Sequence, residues 1–172
     1  MTPSNQAARK LAVAVAFIVF TIDIATKEAI FQNFALRESI PITSFFNVGH
    51  WLNPGAAFSF LSDAGGWQRY FFSALAFAII TWLSTEILFN DSLTKTLRFS
   101  FALIVGGAAG NLYDRIVGGA VIDWINLHWA GWHWPVFNLA DCAIVAGAIT
   151  LASAQVPNPP GNKQSAVQNR AR

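Results

Sequence analysis

Four apolar stretches, at about residues 11–29, 67–89, 97–112 and 136–154, constrain this chain more than any other feature. A helix needs about 20 apolar residues to cross hydrocarbon, with a range of roughly 17–25. Three of the four meet that length, and the third is shorter and polar at its end. Only 12% of the residues are charged, about half the roughly 25% of a soluble domain. The mean hydropathy is +0.43. Lipid is therefore the expected solvent. The 15 Phe and 7 Trp suit interfacial belts. The expected fold is an all-α membrane protein of four transmembrane helices, with residues 1–155 forming one polytopic domain. The stretch 156–172, with Pro157, Pro159, Pro160 and Gly161, reads as a disordered cytoplasmic tail.

Arg9 and Lys10 precede the first apolar run, as in a secretory leader. Asp23 and Lys27 continue the same stretch, however, and no small-residue cleavage site closes it, so a retained helix is expected. With four spans, Arg9, Lys10, Lys95, Arg98, Lys163, Arg170 and Arg172 fall on one side. The bias of basic residues puts both termini in the cytoplasm and linkers 30–66 and 113–135 outside. A net charge of +2 distributed in this way serves orientation, and no nucleic-acid partner is expected. Residues 42–60 are aromatic and β-prone around an Asn53-Pro54-Gly55 turn signal. Val121–Trp129 and Trp132–Phe137 read as a second extended pair around Ala130-Gly131. Trp124, Trp129, Trp132 and Trp134 suit a headgroup layer.

Each charge near a bilayer centre costs about 2.5–3.5 kcal/mol on insertion scales, so each needs a reason. Of nine acids, Glu86 and Asp91 belong to the cytoplasmic end, while Glu28, Glu38 and Asp63 read as solvated. Asp23, Asp114, Asp123 and Asp141 remain. Asp23 and Lys27 share a helix face at i, i+4, either as a snorkelling pair or as a pair that shapes a site. Asp141 opens the fourth helix among apolar neighbours, where the helix dipole favours it and Asn138 is placed to cap. Gly106 and Gly110 form a small-residue face for close helix approach. Asn111, Asp114 and Arg115 follow at the outer end, where Asp114 reads as a solvated partner of a basic residue. Two carboxyl groups sharing a desolvated site retain one proton between them and supply both a base and an acid. Spacing alone pairs Asp141 with either Asp114 or Asp123. The apolar run Ala120-Val121-Ile122 gives Asp123 a small edge.

Other chemistries fare poorly. Neither a metalloprotease helix motif nor a serine nucleophile elbow occurs. His50, His128 and His133 show no ligand spacing and read as surface or interfacial. The lone Cys142 reads as a small core residue and excludes an intrachain disulfide and a cysteine-based metal site. A Ser59–Lys27 pair has no local support. A transporter using Asp23, Asp141 and Arg115, or a non-catalytic scaffold, are the rival readings.

Five segments in order resemble the lipoprotein signal peptidases (signal peptidase II). They are Asp23-Ile24-Ala25-Thr26-Lys27, Asn53-Pro54-Gly55-Ala56-Ala57-Phe58-Ser59, Gly107 to Arg115, Val121-Ile122-Asp123, and Phe137-Asn138-Leu139-Ala140-Asp141. The resemblance implies Asp123 and Asp141 as the catalytic pair of an aspartyl peptidase, with Asp114 in support. It implies a diacylglyceryl-modified prolipoprotein substrate cut just before the lipidated cysteine, and no metal or organic cofactor. It implies four spans, a small extracytoplasmic sheet and a short outer helix over the site. Asn111, Arg115 and Asn138 are expected to orient the aspartates or bind substrate carbonyls, with Gly55 and Ala140 in support. Asn53 is expected on the sheet facing substrate, and Asp23 with Lys27 to hold local geometry. The protein is then expected to be a monomer in the bacterial inner membrane, in contact with lipid, with its site near the outer face.

Overall fold

The computed structural model describes residues 3–55 and 66–155. Four helices and four strands follow in the order α1 (Pro3–Asn33), β1 (Ser39–Pro41), β2 (Phe46–Asn53), α2 (Trp67–Phe89), α3 (Lys95–Val117), β3 (Val121–Trp129), β4 (Trp132–His133) and α4 (Leu139–Gln155). α2 coincides with the second apolar stretch. α1 runs beyond 11–29 at both ends. α3 continues past 112, so Asp114 and Arg115 belong to the helix instead of following it. α4 begins later than residue 136, because Phe137 is drawn into extended pairing: its N–H donates to the Ile125 carbonyl at 3.1 Å. Among the described residues there is no short outer helix. The quoted Ala56 to Ser59, Asp63 and the expected tail after residue 155 lie outside the described residues.

The strands form one antiparallel sheet in the order β1-β2-β3-β4. β3 and β4 close through Ala130 (φ 49°) and Gly131 (φ 85°), both left-handed, as a two-residue hairpin turn of matching twist requires. The β2–β3 register shifts between Val48 and Trp51, a bulge that sets Asn53 opposite Val121 and Trp51 opposite Asp123. The bulge therefore brings the end of β2 and its Asn53 side chain beside Asp123.

The helices are apolar outside and polar inside. Phe17, Phe77, Trp82 and Phe89 face outward, each more than 60% exposed, whereas Asp23, Lys27, Arg98 and Asn138 are at most 1% exposed. That arrangement suits hydrocarbon, where an outward Phe costs nothing and an outward charge does. α2 is long and apolar enough to cross a membrane, and Leu139–Ala154 is a shorter apolar helix. α3 is the hub, packing on α4, α1 and α2. Its glycine face permits this approach. A Cβ at Gly106 would stand 2.6 Å from the Ala16 carbonyl of α1, and one at Gly110 would strike the Asp23 carboxylate. Away from the sheet, Ala12, Leu83, Ile87, Phe101 and Ala102 fill the small apolar core.

Asp23 and Lys27 are not a snorkelling pair. The Lys27 ammonium is buried, pairs with Asp23 Oδ2 at 2.7 Å and Asp114 Oδ2 at 2.9 Å, and donates to Asn111 Oδ1 at 3.0 Å. Asp23 Oδ1 accepts from the Ala140 N–H of α4 at 2.9 Å, and Asp114 Oδ2 accepts from the Ile122 N–H of β3 at 3.1 Å. Asp114 is thus buried and structural, not solvated. One ammonium ties α1 to α3, α4 and the start of β3.

Removing that ammonium should leave two buried carboxylates uncompensated. Lys27→Met is expected to lose roughly 3–5 kcal/mol of stability, read as the thermal unfolding of detergent-solubilised protein. Adding Asp23→Asn and Asp114→Asn should restore part of it, and a single variant as stable as the parent would refute the tie. Gly106→Ala should cost about 1–3 kcal/mol by pushing α1 from α3.

Candidate active site

Asp123 sits on β3 with its side chain turned inward, 3% exposed. Its Oδ2 accepts from Asn53 Nδ2 at 3.0 Å and its Oδ1 from Asn138 Nδ2 at 2.7 Å. Asp141 lies in the first turn of α4, partly buried. Asn138 caps that turn: its Oδ1 accepts from the Asp141 N–H at 3.0 Å, and its own N–H points back at Asp141 Oδ2 at 3.4 Å. This is the reciprocal geometry of a capping box. Asn111 Nδ2 donates to Asp141 Oδ1 at 2.8 Å. One asparagine, Asn138, therefore positions both carboxyl groups, and a second, Asn111, relays the Lys27 anchor to Asp141.

The electrostatics separate the two acids. Burial, and after it the charge of Asp141, pushes the Asp123 carboxyl up to about 7 from the usual carboxylate range. The amide bonds from Asn53 and Asn138 and the charge of Lys27 act in the opposite direction without cancelling the rise. At neutral pH Asp123 thus retains its proton for a large share of the time.

The frame around the pair comes from three elements. Arg115 of α3 donates to the Gly55 carbonyl at 2.6 Å and to the Asn111 carbonyl at 3.1 Å, and its guanidinium lies 5.6 Å from the ring centre of Phe72. The Gly55 N–H donates to Asn53 Oδ1 at 3.0 Å, so the turn after β2 fixes the amide that faces Asp123. Asn53 is thus turned toward Asp123 instead of standing free on the sheet. Ala140 is fully buried, and its contribution is the backbone N–H given to Asp23. A cavity of about 450 Å³ opens beside the pair, with Asn111, Arg115 and Asp141 at its polar end. Phe72, Leu75 and Ile79 of α2 face Ile144 and Val145 of α4 across it.

All the residues singled out from the sequence meet in this one network: Asp123, Asp141, Asn53, Gly55, Asn111, Asp114, Arg115, Asn138, Ala140, Asp23 and Lys27. The Asp114 carboxylate is taken up by Lys27 and Ile122, which leaves Asp123 as the acid that shares Asn138 with Asp141. Two expectations are corrected. His50 is buried, its Nδ1 3.1 Å from the Phe34 carbonyl, because β2 folds over the end of α1. Cys142 is exposed instead of packed in a core, because it opens on the cavity between α2, α3 and α4. Among the described residues no group of His, Cys, Asp and Glu is suited to a metal. The cavity walls escaped sequence reading: an apolar helix residue that lines a cleft looks like one that faces lipid.

Comparison with known proteins agrees with this geometry. The family described as signal peptidase (SPase) II matches residues 15–156. A lipoprotein signal peptidase of Yersinia enterocolitica is 47% identical over 133 residues, 77% of this chain and 79% of that protein. One of Yersinia pseudotuberculosis is 45% identical over 136 residues, 79% of this chain and 80% of that protein. A solved bacterial membrane enzyme superposes with a TM-score of 0.74 at 26% identity, covering 87% of this chain and 95% of that one. With a match over most of its length and relatives this similar, the chain belongs to the signal peptidase II family, a family of aspartic membrane proteases.

Proposed function

We propose that Asp123 and Asp141 are the catalytic pair and that the substrate is a diacylglyceryl-modified prolipoprotein, cut just before its lipidated cysteine. The observation that carries this reading is Asn138 holding both carboxyl groups at the polar end of an apolar cavity. The helices span the bacterial inner membrane as one domain of residues 1–155, with both termini cytoplasmic, the sheet and the aspartates near the outer face, and the chain monomeric. The outward Phe and Trp side chains support that placement, as do the basic residues Arg9, Lys10, Lys95 and Arg98 at the end away from the sheet. The signal helix of the substrate lies against α2 and α4, with its acyl chains in lipid.

The reaction then uses the unequal pair. Ionised Asp141 takes a proton from a water whose oxygen bonds to the scissile carbonyl carbon, while protonated Asp123 gives its proton to the carbonyl oxygen. The resulting gem-diol collapses. Asp141 passes its proton to the amide nitrogen as the C–N bond breaks, and Asp123 recovers its proton from a diol hydroxyl. The products are the signal peptide carboxylate and the free amine of the lipidated cysteine. Asn53 and Asn138 keep Asp123 aimed at the carbonyl, and Asn111 does the same for Asp141. Arg115 holds the turn at Gly55 against the site.

Asp123→Asn and Asp141→Asn should each lower cleavage of a lipidated precursor by about 10²–10⁴-fold while inserting normally. Parental cleavage by either variant refutes the pair, and equal cleavage of an unlipidated precursor refutes the substrate. Asp123 must be protonated to act as the acid, so kcat/KM should fall as pH rises through about 7. The Asn53 amide bond favours the ionised form, so Asn53→Ala should raise the Asp123 pKa and move the alkaline limb upward. A downward shift would reverse the roles given to the two acids.

A further inference from the structure

The end of the bundle away from the aspartates holds a feature that peptide cleavage does not use. Between the first turns of α1 and the start of α3 lies a groove of about 240 Å³, walled by Ala8, Leu11, Ala12 and Phe99 and rimmed by Lys95 and Arg98. Arg98 is 1% exposed and forms no ion pair among the described residues. Its guanidinium donates to the Ile87 carbonyl and, through Nη2, to the Asn90 and Leu93 carbonyls at 2.9 and 3.4 Å. Those contacts close the C-terminal end of α2 with dipoles, and the charge of Asp91 reaches Arg98 without a contact. Its Nε is buried without an acceptor.

The acids at this end are engaged elsewhere. Asp91 pairs with Arg9 at 3.0 Å, and Glu86 accepts from Asn90 Nδ2 at 2.7 Å. Lys95 is exposed, makes no ion pair among the described residues, and occupies the first position of α3, whose dipole adds positive potential there. Two cations and a helix start thus converge on a slot with apolar walls.

We propose that this groove binds an anionic phospholipid, with its phosphate on exposed Lys95, above the buried charge of Arg98, and an acyl chain along Leu11, Ala12 and Phe99. The proposal rests on the membrane reading above, which puts this end at the cytoplasmic face. A soluble anion has no use for the apolar walls. A zwitterionic headgroup brings an ammonium to a rim that is already cationic. A phosphate that carries a chain and no ammonium matches both halves of the groove.

The test uses the full-length chain in an uncharged detergent, titrated with phosphatidylglycerol, phosphatidylcholine or inorganic phosphate and followed by native mass spectrometry and thermal melting. Phosphatidylglycerol should bind as a single molecule per chain and raise the melting temperature, and the other two should not. Lys95→Gln should weaken that binding about five-fold, the loss of one near-surface charge. Ala8→Trp, which fills the groove, should weaken it further. Both variants should retain precursor cleavage in phosphatidylcholine vesicles. Arg98 also holds the end of α2, so its replacement is not the deciding variant. Equal binding of the two lipids, or full binding by both variants, overturns the proposal. Phosphate binding as tight as phosphatidylglycerol overturns the lipid in favour of a free anion. A chain that cleaves precursor in vesicles without preferring phosphatidylglycerol overturns the groove alone, whereas one that neither inserts nor cleaves overturns the membrane reading beneath it.

Discussion

A single ammonium holds the polar heart of this protein together. Lys27 of α1 pairs with Asp23 and Asp114 and donates to Asn111. Each acceptor also binds something else: Asp23 the Ala140 N–H, Asp114 the Ile122 N–H, Asn111 the Asp141 carboxylate. α4 and β3 are therefore held close to the places where they carry Asp141 and Asp123. A buried ion pair is weak evidence for stability in itself, because desolvation offsets much of the Coulomb gain. Here one ammonium serves two carboxylates and an amide at once, and the result is placement. Glycines make it possible: only without a Cβ at Gly110 does the Asp23 carboxylate fit against α3.

The aspartate pair, Asp123 and Asp141, is held on that frame by asparagines. An amide can donate and accept at once without adding charge, which suits a site that already has more acids than it can ionise. Asn138 uses its carbonyl oxygen to cap α4 and its NH₂ to hold Asp123. Asn111 uses its oxygen on Lys27 and its NH₂ on Asp141. Asn53 takes the Gly55 N–H on its oxygen and gives its NH₂ to Asp123. Replacing any of these by aspartate would conserve size but reverse the half of the amide that faces a carboxylate.

The sequence carried much of this, for physical reasons that differ from residue to residue. Asp141 stood out because an acid beginning an apolar helix needs a purpose. Gly106 and Gly110 declared a close helix contact. The hairpin at Ala130-Gly131 followed from a two-residue break between β-prone runs. By contrast, the partner of Asp141 was not legible from spacing, since Asp114 and Asp123 lie at similar distances along the chain; family resemblance favoured Asp123. In the structure, Lys27 and the Ile122 N–H occupy the Asp114 carboxylate, contacts made across 87 and 8 residues that no local pattern records. His50 and Cys142 were misjudged for the same reason. Burial of one and exposure of the other depend on which neighbour covers a face. The cavity walls on α2 were invisible because Phe72, Leu75 and Ile79 would be written identically for a lipid-facing helix.

The charge balance explains why the two aspartates differ. Four carboxyl groups, those of Asp23, Asp114, Asp123 and Asp141, share a desolvated region with only two cations, Lys27 and Arg115. Lys27 serves Asp23 and Asp114 directly. Arg115 spends its hydrogen bonds on carbonyls, so it offers Asp123 and Asp141 its charge without a contact. If all four acids ionised, the site would hold two uncompensated negative charges in a medium that tolerates neither well. A proton on one acid relieves half of that excess, and burial with the charge of Asp141 raises the Asp123 carboxyl to about 7 despite its two amide donors. The less enclosed Asp141 lies at the mouth of the cavity. The two carboxyl groups therefore differ in depth, and depth is set by the sheet that carries one aspartate and the helix end that carries the other.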